Sequence, residues 1–197
     1  MLAFLCCTSL AAQQPAFVHP LTRVTQTYEW YEQQARTWRS EIDKGTTDRS
    51  AWIHWYRANR YAAMANSEKW SSQTGSFFLK EKQLVELAAE RIPDSFEYYF
   101  LKAYHEKTYT AEGSESLKKA MQLRPDDPVL LPDLVVMYQF ENDSAALTET
   151  CRRWYDSNEM PQEFMMNAYN NLVSLEPNSV LVVTGDNDTF PYWMLQL

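Results

Sequence analysis

Hydrophobic residues recur at alternating steps of three and four along most of the chain, which predicts helix after helix over residues 20–176. The first apolar stripe runs from Leu21 to Ile42, and Gly45 is the expected stop after it. A second stripe covers residues 52–63 and a third covers 78–88. Later stripes predict helices over residues 95–107, 114–123, 128–140, 144–157 and 162–175.

The C-terminal pattern departs from this helical series. Residues 179–184 are apolar and mostly β-branched, and turn-forming residues stand on both sides of them. This composition predicts a buried β-strand, followed by a helix that begins near Pro191. A lone strand lacks hydrogen-bond partners, so either residues 180–183 pair with something outside this chain or the sequence is a fragment. We favour the fragment, in which the strand pairs with the missing C-terminal sequence. The predicted fold class is therefore all-α, with one C-terminal strand that starts a truncated α/β element.

The middle of the chain repeats itself at a spacing of 34 residues. Tyr104 and Tyr138 form one such pair, and Leu117 and Cys151 form another. A helix–turn–helix unit of this length is the spacing of tetratricopeptide repeats, and residues 50–176 resemble that family. The resemblance implies a solenoid of stacked helix pairs with a surface that binds a peptide or a protein.

Composition and charge narrow the class of partner. The chain has 197 residues, of which 45% are hydrophobic and 14% aromatic, so a packed core is expected and wholesale disorder is excluded. With 18 Lys+Arg against 26 Asp+Glu, the net charge is −8. An acidic chain is a poor ligand for nucleic acid or anionic lipid, which favours a protein or peptide as the partner.

The N-terminus predicts export. Residues 2–12 are apolar and small, but the run is too short to span a bilayer, and small residues near Ala11 fit a signal-peptidase site. We therefore predict a signal peptide over 1–13, a helical domain over 17–176 and the truncated element over 178–197. A buried N-terminal helix is the alternative for the first segment. The expected location is the periplasm or cell envelope of a Gram-negative bacterium, with no transmembrane segment in this chain.

The segment after the predicted strand carries two carboxylates, Asp186 and Asp188. An Asx-type turn without a ligand is the favoured interpretation of these residues, and the alternative is a site for a hard divalent cation, which two carboxylates one residue apart can hold. The longer run from Gly185 to Trp193 resembles a soluble segment in a family of large bacterial membrane proteins related to protein mannosyltransferases. This resemblance implies that a small α/β domain begins near Asn178, and it assigns no catalytic residue.

Three residues are candidates for contact with a partner. Trp30 falls outside the apolar stripe of its helix, so it is free to occupy an exposed face. Asn59 and Arg60 lie on the first helix of the first pair, where the resemblance implies a ligand-facing surface. The other aromatic residues of the first third fit core packing better than a stacking platform for sugars or peptides.

The sequence offers no catalytic constellation and predicts no cofactor. It contains neither a Gly-x-Ser-x-Gly motif nor a phosphate-binding Gly-x-x-x-x-Gly-Lys loop. His19, His54 and His105 do not cluster and are expected on helix surfaces, while Cys151 is expected to be a buried apolar residue.

These observations favour an exported, non-catalytic helical-repeat scaffold that binds a protein or peptide. The alternative is the N-terminal part of a larger envelope enzyme or glycosylation-associated protein, whose Asp186–Asp188 segment binds a divalent metal or a sugar phosphate. A third possibility is a purely structural subunit of the cell envelope.

Overall fold

The computed structural model describes residues 14–66 and 76–196, and the regular structure of these residues is entirely helical. The predicted signal peptide over residues 1–13 lies outside the described residues. A 3-10 turn at Pro128–Leu130 leads directly into α6. The helices are α1 (Tyr28–Asp43), α2 (Ser50–Ala65), α3 (Ser76–Arg91), α4 (Phe96–Glu106), α5 (Ala111–Leu123), α6 (Leu131–Glu141), α7 (Ser144–Ser157), α8 (Gln162–Val173) and α9 (Asp186–Leu195).

Side-chain caps fix where several helices begin. The Thr27 hydroxyl accepts a hydrogen bond from the Trp30 backbone N–H, so α1 begins at Tyr28 although the apolar stripe already begins at Leu21. The prediction of one helix from Leu21 onward was therefore wrong in its first two turns. Equivalent side-chain caps start three later helices: Ser95 for α4, Thr110 for α5 and Asp143 for α7.

The chain divides into two compact units. Among the described residues, the first unit combines 14–19 with 26–66 and 76–77, and the second combines 20–25 with 78–196. In the first unit, α1 and α2 form a helical hairpin whose facing sides are rich in buried aromatic residues. Its larger buried side chains on the two helices include Tyr31, Trp38, Ile42, Trp52, Ile53 and Tyr56.

The second unit contains two successive helical hairpins, α4 with α5 and α6 with α7. Their first helices begin at Phe96 and Leu131, and their second helices at Ala111 and Ser144, so the same two-helix unit recurs after about 34 residues. Tyr104 and Tyr138 are half-buried, whereas the other positions that this spacing pairs are buried. They are Phe100, Leu101, Leu117 and Ala120 in the first hairpin, and Leu134, Val135, Cys151 and Trp154 in the second.

The predicted C-terminal strand is wrong. Residues 179–184 have no regular secondary structure, and no strand occurs among the described residues. Val180 and Val182 are 88% and 84% exposed, so the run is not buried. The expectation that residues 180–183 pair as a strand fails with it. High β-propensity does not form a strand without a neighbouring strand to accept its backbone hydrogen bonds.

Helix α9 replaces the predicted α/β element. It follows Gly185, whose φ of +90° turns the chain before Asp186, and it contains Pro191 inside the helix. Phe190 and Met194 pack into one hydrophobic core with residues of α6 and α7, including Leu131, Val135, Cys151 and Trp154. The C-terminal segment thus completes a helical core.

Candidate functional site

A surface groove in the second unit lies between the α4–α5 turn, helix α5 and the end of α6. Its volume is about 480 Å³. Apolar and charged groups both face it, so the groove combines surface for burial with groups that orient a ligand. The residues that matter for its chemistry are Tyr109, Ser114, Lys118, Met137, Phe140 and Glu141.

Two exposed aromatic rings dominate the groove. Tyr109 and Phe140 are 50% and 63% exposed, and their ring centroids are 5.3 Å apart with the planes tilted by 30°. Met137, which also lines the groove, is fully buried. Paired aromatic side chains that remain in water are typical of binding surfaces, because they carry a large apolar area at a low cost in conformational entropy.

An anchored carboxylate stands beside the rings. Glu141 accepts a hydrogen bond from Lys118 Nζ over 2.8 Å and another from the Ser114 hydroxyl. These two donors, Lys118 first, hold the pKa of Glu141 below its ordinary value. The carboxylate therefore stays ionised and fixed in direction at neutral pH, next to the aromatic pair.

Local backbone geometry positions both sides of the groove. Lys107 has a φ of +68°, which turns the chain sharply after α4, and Thr110 then caps α5 by accepting from the Gly113 N–H over 3.1 Å. Tyr109 is held between these two points. At the other side, Asn142 takes the left-handed conformation and ends α6, so Phe140 and Glu141 occupy its last turn.

The predicted contact residues of the first unit lie in one half of the α1–α2 hairpin. Trp30 is half-buried, and its ring meets Tyr31 edge-on at 5.2 Å. Tyr31 in turn meets the ring of Tyr61 at 5.5 Å, so the start of α1 lies beside the end of α2, the helix that carries Asn59 and Arg60.

Both polar candidates on α2 interact within their own helix. Asn59 Nδ2 donates to the Trp55 carbonyl over 2.8 Å, and an Arg60 guanidinium nitrogen donates to the Tyr56 hydroxyl over 3.1 Å. Both residues are half-buried. Their role in contacting a partner stays a prediction.

Asp186 and Asp188 lie in the first turn of α9, and both are exposed. Carboxylates in this position complement the positive end of the helix dipole. The Thr189 hydroxyl donates to the Gly185 carbonyl over 2.9 Å and braces the same turn. Over residues 14–66 and 76–196, no group of three His, Cys, Asp or Glu side chains is placed to hold a metal ion.

Two reactive side chains are buried. Cys151 is 1% exposed, as predicted, and burial raises the pKa of its thiol to about 11, which removes the thiolate at neutral pH.

His54 is 4% exposed, so the prediction of a surface histidine was wrong for this residue. Its ring stacks on Trp38 at 4.8 Å, and burial, together with the charge of Arg57, lowers its pKa to about 4. The flanking Trp52 and Trp55 were the available sign of a buried face.

Tyr109 and Phe140 were not predicted from the sequence as contact residues. Both fall outside the buried positions that the 34-residue spacing relates, just as Trp30 falls outside the apolar stripe of its own helix. Tyr109 also stands next to Thr110, a favourable helix cap, so its place in a turn could be read from the sequence. The proximity of Tyr109 to Phe140 could not be predicted from the sequence, because it depends on how the two hairpins pack.

The C-terminal quarter of the chain is similar to a known protein family. Residues 149–197 match the family model for TMEM260-associated domain 2. The matched stretch runs from within α7 through α8 and α9, and it includes Trp154 and Phe190, whose rings pack 5.2 Å apart. No curated protein and no solved structure matches the chain. In the part of the chain that the structure describes, no helix has both the length and the apolar character needed to cross a membrane.

Proposed function

We propose that this protein is an exported, non-catalytic helical-repeat scaffold that binds a protein or peptide partner in the groove of Tyr109 and Phe140. The observation that carries the proposal is the exposed aromatic pair beside the anchored carboxylate of Glu141. Burial of the two rings provides affinity, and the fixed charge orients the bound segment. The acidic character of the chain favours a partner with a basic or neutral surface.

The architecture supports the same function. Hairpins that recur after about 34 residues are the building unit of tetratricopeptide-like arrays, and we assign the α4–α7 region to this type of array. Each hairpin buries its apolar side against its neighbours, which leaves turns and helix ends on the surface for recognition. Tyr109 in a turn and Phe140 at a helix end have these positions.

The test is site-specific photo-crosslinking in the cells that produce the protein. A benzophenone amino acid replaces Phe140, and the matched control places it at Tyr155, which is 52% exposed on α7 of the same unit. We expect a discrete protein adduct from position 140 that position 155 does not give. The adduct should disappear when Tyr109→Ala is added, with the helical circular dichroism unchanged.

The purified partner should then bind Tyr109→Ala at least about tenfold more weakly, as expected for a central aromatic contact.

Two results would refute this function for the groove. One is the same adduct pattern from positions 140 and 155, which would indicate contact without a defined site. The other is unchanged affinity of the partner for Tyr109→Ala and Phe140→Ala, because an aromatic anchor must lose affinity when it is truncated.

The match to TMEM260-associated domain 2 favours a second candidate function for the C-terminal part. Here the chain is part of a larger envelope protein, related to the mannosyltransferase-like family that the Gly185–Trp193 run resembles. Asp186 and Asp188 then bind a divalent metal or a sugar phosphate at the start of α9. Both carboxylates lie within the matched residues and face solvent, which leaves them accessible to such a ligand.

Melting temperatures separate the two candidates. Under the metal hypothesis, millimolar magnesium, manganese or calcium raises the melting temperature, because a ligand that binds the native state stabilises it. Asp186→Asn with Asp188→Asn should abolish that rise. Under the scaffold hypothesis, the metals cause no shift, and the double variant lowers the melting temperature slightly at every metal concentration, since it weakens only the interaction with the helix dipole.

A further inference from the structure

Residues 14–19 precede α1 as a non-helical arm that lies on the α1–α2 hairpin within the first unit. Val18 of this arm is fully buried, whereas its neighbours Phe17 and His19 are exposed. Alternation of buried and exposed side chains indicates an extended conformation that lays one edge on the hairpin. Val18 is thus the side chain that the hairpin encloses.

Ala16 is held through both of its backbone polar groups. Its N–H donates to Gln34 Oε1 over 2.8 Å, and its carbonyl accepts from Trp38 Nε1 over 2.9 Å. Gln34 is buried, and both side chains come from α1. Backbone contacts of this kind fix the path of a chain without depending on the side chain at that position.

Val18 is held in the same way, by side chains of α2. Its N–H donates to His54 Nδ1 over 3.4 Å, and its carbonyl accepts from an Arg57 guanidinium nitrogen over 3.4 Å. The Phe17 ring between the two anchored residues meets the His54 ring edge-on at 4.4 Å while it remains 57% exposed. Ala16 and Val18, two positions apart, are therefore each bound through both the backbone N–H and the backbone C=O. Proteins recognise extended peptides by backbone hydrogen bonds of this kind.

We propose that the α1–α2 hairpin is a peptide-binding groove, that residues 14–19 occupy it in cis, and that it accepts an extended peptide with a valine-sized apolar residue two positions after a small one. Four side chains from two helices supply the backbone contacts, so the groove stays formed when the arm leaves. Specificity comes from the enclosed Val18 position, while the Phe17 position accepts a wide range of side chains. This site is separate from the groove of Tyr109 and Phe140.

The arm can leave the hairpin without unfolding of α1 or α2. A short segment with one enclosed side chain opens locally at a lower free energy than the helices beneath it. A competing peptide that makes the same four backbone contacts then replaces the arm without disturbing the packing of α1 on α2.

The experiment uses the full chain with Val18→Asp, which places a charge in the enclosed position and releases the arm. The probe is a fluorescein-labelled peptide with the sequence of residues 14–19, Gln-Pro-Ala-Phe-Val-His. We expect saturable binding to Val18→Asp and at least about tenfold weaker apparent binding to the unmodified chain, whose groove is occupied. The Trp38 indole N–H resonance should shift in the variant and move back when the peptide is added.

A matched control peptide tests backbone recognition directly. Methylation of the amide nitrogens of its alanine and valine removes the two N–H donors and keeps every side chain, so binding should be lost. The proposal is overturned if the folded Val18→Asp chain does not bind the probe, if the methylated peptide binds equally well, or if both chains bind the probe with equal affinity. Should Val18→Asp fail to fold by circular dichroism, Val18→Ala releases the arm more gently and is judged by the same three criteria.

Discussion

The hydroxyl of Tyr104 donates a hydrogen bond to the Asp133 carboxylate over 2.8 Å and joins α4 to α6, the first helices of two successive hairpins. Asp133 is buried and lies in the first turn of α6, where its charge also complements the helix dipole. This contact fixes one hairpin against the next. Tyr104 is one of the tyrosines that the sequence repeat singles out.

Removal of this hydroxyl should weaken the second unit. Tyr104→Phe keeps the ring and deletes the donor to a buried carboxylate, so we expect the free energy of unfolding to fall by about 1–3 kcal/mol. Urea denaturation followed by circular dichroism measures the change. Tyr155→Phe is the matched control, because Tyr155 is 52% exposed and should lose less than about 0.5 kcal/mol. Equal effects of the two substitutions would contradict a stabilising role for the Tyr104–Asp133 bond.

The buried His54 should make the first unit sensitive to acid. Its pKa is lowered from 6.5 to about 4 in the folded chain, so between these values the unfolded chain binds more protons. Stability must therefore decrease as the pH falls through this window. From about pH 7.5 to about pH 5, we expect a loss of about 2 kcal/mol in the free energy of unfolding.

The measurement is urea denaturation at several pH values, followed through the Trp38 indole resonance. In His54→Gln the free energy of unfolding should depend less on pH, because the group that titrates in this window has been removed. Val180→Thr is the control, since this exposed side chain lies in the second unit and carries no titrating group, so the slope should stay. A slope that persists in His54→Gln would assign the acid sensitivity to other groups.

Gly113 should tolerate no side chain. A Cβ atom at this position, in the first turn of α5, would fall on the backbone carbonyl of Lys107. We expect Gly113→Ala to lower stability by about 3 kcal/mol or more, since the backbone of the α4–α5 turn has to move. At Gly45 a Cβ meets nothing within 4 Å, and only the positive φ of +79° opposes it. Gly45→Ala should therefore cost about 1 kcal/mol, and thermal melts of the two variants should rank in this order.

The C-terminal segment allows a test of the corrected fold. Val180→Thr with Val182→Thr should change the melting temperature very little, because both side chains are exposed. Phe190→Ala should remove about 3–5 kcal/mol, since its ring packs on Trp154 in the core of α6, α7 and α9. The reverse order of effects would indicate that residues 179–184 form buried structure after all.

The helices of the second unit could be predicted because the pattern behind them is local. Periods of three and four place the apolar residues on one side of each helix, and caps such as Ser95 and Thr110 are adjacent to the helices they start. The predicted 144–157 helix is the one observed, and the other boundaries after residue 90 differ by a few residues. The strand at 179–184 failed for the opposite reason, since a strand requires a partner that local propensity does not supply.

The same contrast between local pattern and long-range contact applies to the residues of the candidate sites. Burial of Cys151 was evident from its place in the apolar repeat, whereas burial of His54 depends on the stacking of Trp38 from the neighbouring helix. The pairing of Tyr109 with Phe140 depends on the packing of a turn against a helix end that lies about 30 residues further along the chain. Side chains that interact at such separations leave no periodic signal.

The sequence by itself determined the helical class, the two-helix repeat of the second unit and most of its buried positions, because short-range periodicity and capping carry that information. Only the tertiary structure decided that residues 14–19 lie on the α1–α2 hairpin, that α9 completes a helical core, and that two aromatic rings stand beside Glu141 in an open groove. These features arise from contacts between residues distant in the chain, and the free energy of such contacts depends on how the hairpins pack.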